Sequence, residues 1–110
     1  MVDIEKIEQE IVERIGPLLP EKIILFGSYA KGTPNADSDI DLYVVTNDNF
    51  IPQSWQEKNR IYLGVSRKIR DLRKQVPIDL IVHTKKMHEK FIALNSFFSR
   101  EINQEGIRLL

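Results

Sequence analysis

The chain has no cysteine, no long apolar run and no excess of either charge among its 110 residues. Without cysteine it forms neither a disulfide nor a thiolate metal site, which is compatible with the cytoplasmic location that we expect. No stretch approaches the roughly 20 apolar residues of a membrane-spanning helix, so we expect no membrane partner. The charged N-terminal segment lacks the apolar centre of a signal peptide. Sixteen basic and sixteen acidic residues cancel, so we expect no direct binding of nucleic acid.

Length and periodicity predict one α/β (α+β) domain over residues 1–110. The pattern predicts helices over 3–16, 55–75, 84–94 and 96–108, about one helical turn after Gly27, and strands over 22–27, 39–45 and 78–83. A long helix separates the second and third strands, which allows them to pair in parallel. We therefore expect a small mixed sheet of three to four strands, covered on one face by helices.

Carboxylates interrupt two of the apolar strands. Asp39 and Asp41 flank Ile40, so both side chains point to the same face of the second strand. Asp79 occupies the matching place in the third strand, between Ile78 and Leu80. If the two strands are neighbours, the three carboxylates converge on the face opposite the core.

Such a cluster of like charges needs a cation, because the carboxylates repel one another and raise one another's pKa. Neither strand contains Lys or Arg, so a divalent metal ion is the simplest candidate. Ligands that are all oxygen favour Mg²⁺ or Mn²⁺ over zinc. Mg²⁺ typically combines one or two carboxylates with substrate phosphates, which indicates a nucleotide substrate.

A Gly-Ser turn follows the first strand and fits a phosphate ligand. Gly27 has no side chain, so a phosphate can approach the backbone closely there. Ser28 begins the short helical turn, whose free N–H groups and hydroxyl suit a triphosphate. Asp37, by contrast, lies in a polar loop with Asn35 and Ser38, and we assign it to the turn.

These residues together resemble a known signature. Gly27-Ser28, followed after ten residues by Asp39-Ile40-Asp41-Leu42, resembles the motif of the DNA polymerase β-like nucleotidyltransferase superfamily. Asp79 matches that family's third carboxylate, and the short chain resembles the minimal nucleotidyltransferases. The resemblance implies that Asp39, Asp41 and Asp79 hold two Mg²⁺ ions. It further implies that Gly27 and Ser28 bind ATP, and that AMP passes to an acceptor hydroxyl with release of pyrophosphate.

The acceptor is less well defined than the nucleotide site. Minimal nucleotidyltransferases are typically antitoxins that adenylylate a tyrosine of a HEPN-domain ribonuclease toxin, so the resemblance implies such a toxin as partner. Two alternatives stay open: an enzyme that modifies a small molecule such as an aminoglycoside, and a non-catalytic module that neutralises its partner by contact. An EF-hand and a P-loop are excluded, because Leu42 and Thr33 replace the glycine and the lysine that those motifs need.

Several other side chains have a structural interpretation beside a functional one. We expect His83 and His88 to be surface or capping residues rather than a metal pair, and Lys31 to be exposed rather than bound to phosphate. Tyr43 can line the site or pack. The basic run 67–74 is interpreted as the solvated side of a helix with Ile69 and Leu72 inward, and alternatively as a docking patch. Core or interface positions are expected for Phe91, Phe97 and Phe98.

Overall fold

The structure, a computed structural model, describes residues 2–110; Met1, the first residue of the predicted domain, lies outside them. The helices are α1 (Ile4–Ile15), α2 (Gly27–Lys31), α3 (Trp55–Ser66), α4 (Arg70–Gln75), α5 (Lys85–Ala93) and α6 (Phe97–Arg100). The strands are β1 (Lys22–Phe26), β2 (Ile40–Val45), β3 (Ile78–His83) and β4 (Ile107–Arg108). Between residues 2 and 110, no helix is both long and apolar enough to cross a membrane.

The strands form a four-stranded mixed sheet in the order β3-β2-β1-β4. The central strand β2 pairs antiparallel with β1 and parallel with β3, so the predicted parallel pairing is confirmed. β4 pairs antiparallel with β1, which leaves β3 at the opposite edge of the sheet. The predicted fold class, a mixed α/β domain with three to four strands, is confirmed.

Alternation along β2 divides the sheet into two faces. Ile40, Leu42 and Val44 point to the larger core, where they meet apolar side chains of α1, α3 and α4. The opposite face carries a smaller apolar cluster, which consists of Ile24, Phe26, Tyr43, Val45 and Ile102. The C-terminal helices cover this cluster through Ile102 and Phe91, so helices lie on both faces of the sheet and the prediction of helices on one face only is wrong. The end of this second face where Asp41 and Asp79 lie is open to a cleft.

The helix starts follow the capping chemistry of the sequence. Asp3 precedes α1, and its carboxylate accepts a hydrogen bond from the Lys6 backbone N–H at 3.3 Å. Ser54 caps α3 in the same way, with its hydroxyl accepting from the Glu57 N–H at 3.1 Å. The predicted starts of both helices are therefore confirmed.

The prediction of one long helix over 55–75 is wrong. α3 ends at Ser66, a 3₁₀ turn covers Arg67–Ile69, and α4 begins at Arg70. Ile69 leaves the helical region, with φ −115° and ψ 17°, while its side chain is fully buried. A 3₁₀ turn preserves the apolar spacing of three, so the sequence pattern continues across the break without revealing it.

The predicted helix over 96–108 is also corrected. Ser96 caps α6, but the backbone widens into a π-helix over Glu101–Glu105 and then stops. Gly106 takes an extended conformation, and a Cβ there would overlap the Ile102 carbonyl and the Ile24 side chain. The chain therefore turns back at Gly106 and ends as β4 against β1.

Candidate functional site

Two carboxylates lie side by side at the open end of the second face. Asp41 on β2 and Asp79 on β3 are register partners in the parallel ladder, so their side chains point to the same face. Asp79 is exposed on the edge strand, whereas Asp41 is partly buried on the central strand. The predicted convergence is therefore found for this pair.

Gly27 lies against the Asp41 side chain on the side of β1. Phe26, the last residue of β1, is the antiparallel partner of Asp41, and the chain turns into α2 immediately afterwards. Gly27 has φ +74°, and a Cβ at this position would overlap the Asp41 carboxylate. Glycine is thus required at residue 27 both by its backbone conformation and by the space that Asp41 occupies. Ser28 follows within the first turn of α2.

The site concentrates negative charge. The pKa of Asp41 is raised to about 6, first by burial and then by the charges of Asp79, Asp39 and Glu101, with a hydrogen bond to Asp79 adding to the shift. A partly buried carboxylate among other carboxylates, with oxygen as the only donor atom, suits a hard divalent cation such as Mg²⁺. The donor set therefore fits the metal that the sequence predicts.

Asp39 stands apart from the pair. It is exposed and precedes the first residue of β2, although its charge still raises the pKa of Asp41. Over residues 2–110, no three Asp, Glu or His side chains are grouped closely enough to hold a metal ion as they stand. Of the three predicted metal ligands, the structure brings Asp41 and Asp79 together. The role of Asp39 stays a prediction.

Sequence reasoning missed a fourth acid, Glu101. It lies in the π-helix and lines a cleft of about 420 Å³ together with Gly27, Asp41, Asp79 and Phe98. Helical periodicity gave no sign of it, because the widened turn that directs it toward the sheet has no signature in the sequence. Glu101 also pairs with Lys31, whose Nζ lies 3.0 Å from Glu101 Oε1 and 3.7 Å from Glu105 Oε2. Lys31 is exposed, as predicted, and is held by this ion pair.

Tyr43 is a packing residue. Its side chain is fully buried two positions beyond Asp41, and its ring stacks on Phe91 with centroids 5.5 Å apart. Its hydroxyl lies 2.8 Å from His83 Nδ1 and 2.9 Å from His88 Nδ1. The expectation of surface histidines is wrong, because both rings are part of this network and burial lowers the pKa of each, that of His83 to about 4.

The basic run over 67–74 has mixed roles. Ile69 and Leu72 are fully buried, as predicted. Arg73 is half-buried and holds the start of β3, because its Nη2 and Nε donate to the Ile78 carbonyl at 3.0 and 3.2 Å. Its Nη1 donates to Tyr62 Oη and Ser66 Oγ. Arg73 therefore positions the strand that carries Asp79. Phe97 is 87% exposed, so it is not a core residue, and the alternative expectation of an interface position stays a prediction.

The comparison with protein families identifies the chain's family. The sequence model of the nucleotidyltransferase domain matches residues 4–108, which is nearly the whole chain. The chain belongs to the nucleotidyltransferase domain family. The resemblance to nucleotidyltransferases that the sequence indicates is thereby confirmed. A comparison with curated protein sequences finds no significant match.

Solved structures share the fold of this nucleotidyltransferase domain. A toxin–antitoxin complex crystallised with AMP-PNP is 20% identical, with a TM-score of 0.58 over 94% of this chain and 72% of that chain. A mutant of the toxin–antitoxin complex MntA–HpeT is 19% identical, with a TM-score of 0.56 over 94% of this chain and 72% of that chain. An inferred nucleotidyltransferase from Sulfolobus solfataricus is 21% identical, with a TM-score of 0.56 over 94% of this chain and 76% of that chain.

Proposed function

We propose that this nucleotidyltransferase is an antitoxin that transfers AMP from ATP to a tyrosine hydroxyl of a HEPN ribonuclease toxin. The observation that carries the proposal is a contact: the carboxylates of Asp41 and Asp79 meet directly beside Gly27, at the turn where α2 begins. Structural neighbours add support for the partner, because two of them are toxin–antitoxin complexes and one was crystallised with an ATP analogue.

Different residues of the cleft would bind the metal ions and the phosphates. Asp39, Asp41 and Asp79 would hold two Mg²⁺ ions, which neutralise the triphosphate and polarise its α-phosphate when bound. Gly27 leaves room for the Asp41 carboxylate, and the turn that it forms, with the Ser28 hydroxyl and the N–H groups after Gly27, would bind the phosphate oxygens. In the neighbouring MntA–HpeT mutant, the two aspartates that were changed to glutamate are separated by one residue, as Asp39 and Asp41 are.

The proposed reaction exchanges one P–O bond for another. The tyrosine oxygen attacks the α-phosphorus and forms a new P–O bond, while the bond from the α-phosphorus to the bridging oxygen breaks. Pyrophosphate leaves with that bridging oxygen, and the toxin keeps the AMP. The phenolic proton is taken up by a carboxylate, for which Asp79 is best placed because it is exposed on the edge strand.

Adenylylation of the toxin is tested with α-labelled ATP, Mg²⁺ and a purified HEPN toxin, followed by mass spectrometry of the toxin. We expect one tyrosine of the toxin to gain AMP. Asp39→Asn, Asp41→Asn and Asp79→Asn should each lower transfer at least about 100-fold, because each removes a proposed metal ligand. Asp37→Asn, in the loop where the Asp37 N–H donates to Asn35 Oδ1 at 2.8 Å, is the matched control and should keep the wild-type rate.

Other outcomes identify the alternatives. If the wild type neutralises the toxin without adding AMP, and Asp41→Asn neutralises it equally well, the chain acts by contact and the proposal is wrong. If the label appears on an aminoglycoside and not on the toxin, the enzyme has a small-molecule acceptor.

A further inference from the structure

The outer edge of β3 has free backbone groups. The carbonyls of Pro77 and His83 accept from the Ile40 and Thr46 N–H groups of the β2 side, at 3.0 and 2.9 Å. Strand alternation then directs the N–H and C=O groups of Leu80 and Val82 away from the sheet. Within residues 2–110, β3 pairs with β2 alone. This edge is therefore a template on which another extended segment can add as a strand.

A groove runs along this edge. It has a volume of about 320 Å³ and lies between β3 and the side of α3 that carries Trp55, Lys58 and Tyr62. Trp55 is 73% exposed, so it forms an open aromatic rim. Leu80 and Ile81 line both this groove and the cleft that contains Asp41 and Asp79. A segment in the groove would therefore lead directly to Asp79.

The groove has a single sign of charge. Lys58 is its one Lys, Arg, Asp or Glu among the lining residues that the structure describes. Across residues 2–110, no carboxylate lies within ion-pair distance of Lys58. The lysine stands near His83, whose pKa it lowers further after burial. A ligand that brings a carboxylate to this end of the groove would therefore neutralise an unpaired charge.

We propose that this groove binds an extended segment of the acceptor protein as an added strand on β3, with the acceptor tyrosine at Asp79 and a carboxylate at Lys58. The inference rests on the proposed function, because it names how the acceptor of that reaction is held. Main-chain hydrogen bonds to Leu80 and Val82 supply affinity, and the carboxylate sets the register. Asp79 and His83 stand four positions apart on β3, so the carboxylate lies about four residues from the tyrosine, at roughly 3.3 Å per residue.

A set of short tyrosine peptides tests this arrangement. Each peptide contains one tyrosine and one glutamate whose separation varies, and a second set has lysine in place of the glutamate. With α-labelled ATP and Mg²⁺, we expect the strongest labelling when the glutamate is about four residues from the tyrosine. Lys58→Glu should invert this preference, so that the matching lysine peptide is labelled about tenfold better than the glutamate peptide.

Two controls test whether the peptide preference arises in the groove. Lys68→Glu changes an exposed lysine outside the groove and should keep the wild-type preference for glutamate. Backbone N-methylation of the best peptide should lower labelling at alternating positions, because only every second N–H of an added strand faces β3. Methylation that is tolerated at every position would contradict strand addition.

The remaining outcomes also decide between proposals. The rise in Tm with ATP and Mg²⁺ is measured for the same preparations. If that rise is present but no peptide is labelled, or if Lys58→Glu leaves the glutamate preference intact, the groove proposal is overturned while nucleotide binding stands. If the rise is absent, the proposed function fails, and the groove loses its role with it.

Discussion

Residue 27 and the carboxylate of Asp41 compete for the same space. A Cβ at Gly27 would overlap Asp41 Oδ2, and Gly27 has φ +74°. Gly27→Ala should therefore destabilise the protein by about 1–3 kcal/mol and abolish the rise in Tm with ATP and Mg²⁺, because the aspartate must move from its place opposite Asp79. Urea denaturation and thermal melts with and without nucleotide measure the two effects.

Gly32 is the matched control for that substitution. It has φ +73°, but nothing lies within 4 Å of a Cβ built on it. Gly32→Ala should destabilise the protein only by the cost of the left-handed conformation, about 1–2 kcal/mol. It should keep the nucleotide-dependent rise in Tm. Equal effects of the two substitutions on nucleotide binding would show that contact with Asp41 is unimportant.

The raised pKa of Asp41 predicts how its removal depends on pH. Its folded-state pKa is about 6, above the ordinary value of 3.8, because of burial and the carboxylates of Asp79, Asp39 and Glu101. The stabilisation that arises from this raised pKa is fully present below the unfolded-state pKa of Asp41, and it is lost as pH rises through about 6. Without metal, Asp41→Asn should therefore stabilise the protein more at about pH 8 than at about pH 4.

Urea denaturation of wild type and Asp41→Asn at the two pH values measures this difference. Asp37→Asn, which removes a carboxylate from the exposed loop, is the matched control. An Asp41→Asn effect that does not change with pH would remove the electrostatic argument for a cation at this place.

The hydroxyl of Tyr43 forms hydrogen bonds with two histidines, His83 and His88. It has one proton, so it donates to one Nδ1 and accepts the N–H of the other. Tyr43→Phe should destabilise the protein by about 1–3 kcal/mol, since a buried polar group loses its partner. Tyr29→Phe, whose ring packs against the larger core and whose hydroxyl has no hydrogen-bond partner within residues 2–110, should change stability by less than about 0.5 kcal/mol. Equal losses in denaturation experiments would show that the network contributes little.

Arg73 should affect both stability and nucleotide binding. Two of its N–H groups hold the Ile78 carbonyl, one residue before Asp79. Arg73→Ala should cost about 1.5–3 kcal/mol, as expected for hydrogen bonds from a charged group, and should weaken the rise in Tm with ATP and Mg²⁺. Arg70→Ala, an exposed position in the same basic run, should change stability by less than about 0.5 kcal/mol. If the two substitutions behave alike in denaturation and thermal-shift experiments, Arg73 does not position β3.

Sequence reasoning predicted the parts of the fold that depend on local pattern. The first three strands follow from alternation, and the two capped helix starts follow from Asp3 and Ser54. The adjacency of Asp41 and Asp79 follows from the helical connection between β2 and β3. The break at Ile69 could not be predicted, because packing of a buried side chain overrides helix propensity there.

The missed parts of the site depend on contacts distant in sequence. Glu101 reaches the cleft only because the last helix widens and Gly106 turns the chain back along β1. His83 and His88 likewise contact the Tyr43 hydroxyl, which lies 40 and 45 residues away in the sequence. No local pattern encodes either relationship.

The most direct measurement is a crystal structure with Mn²⁺ and a non-hydrolysable ATP analogue, in which anomalous scattering locates the metal. We predict metal density between the carboxylates of Asp41 and Asp79, with Asp39 turned toward it and the phosphates at Gly27 and Ser28. Metal density away from these aspartates, or phosphates bound along the groove at Lys58, would contradict the account.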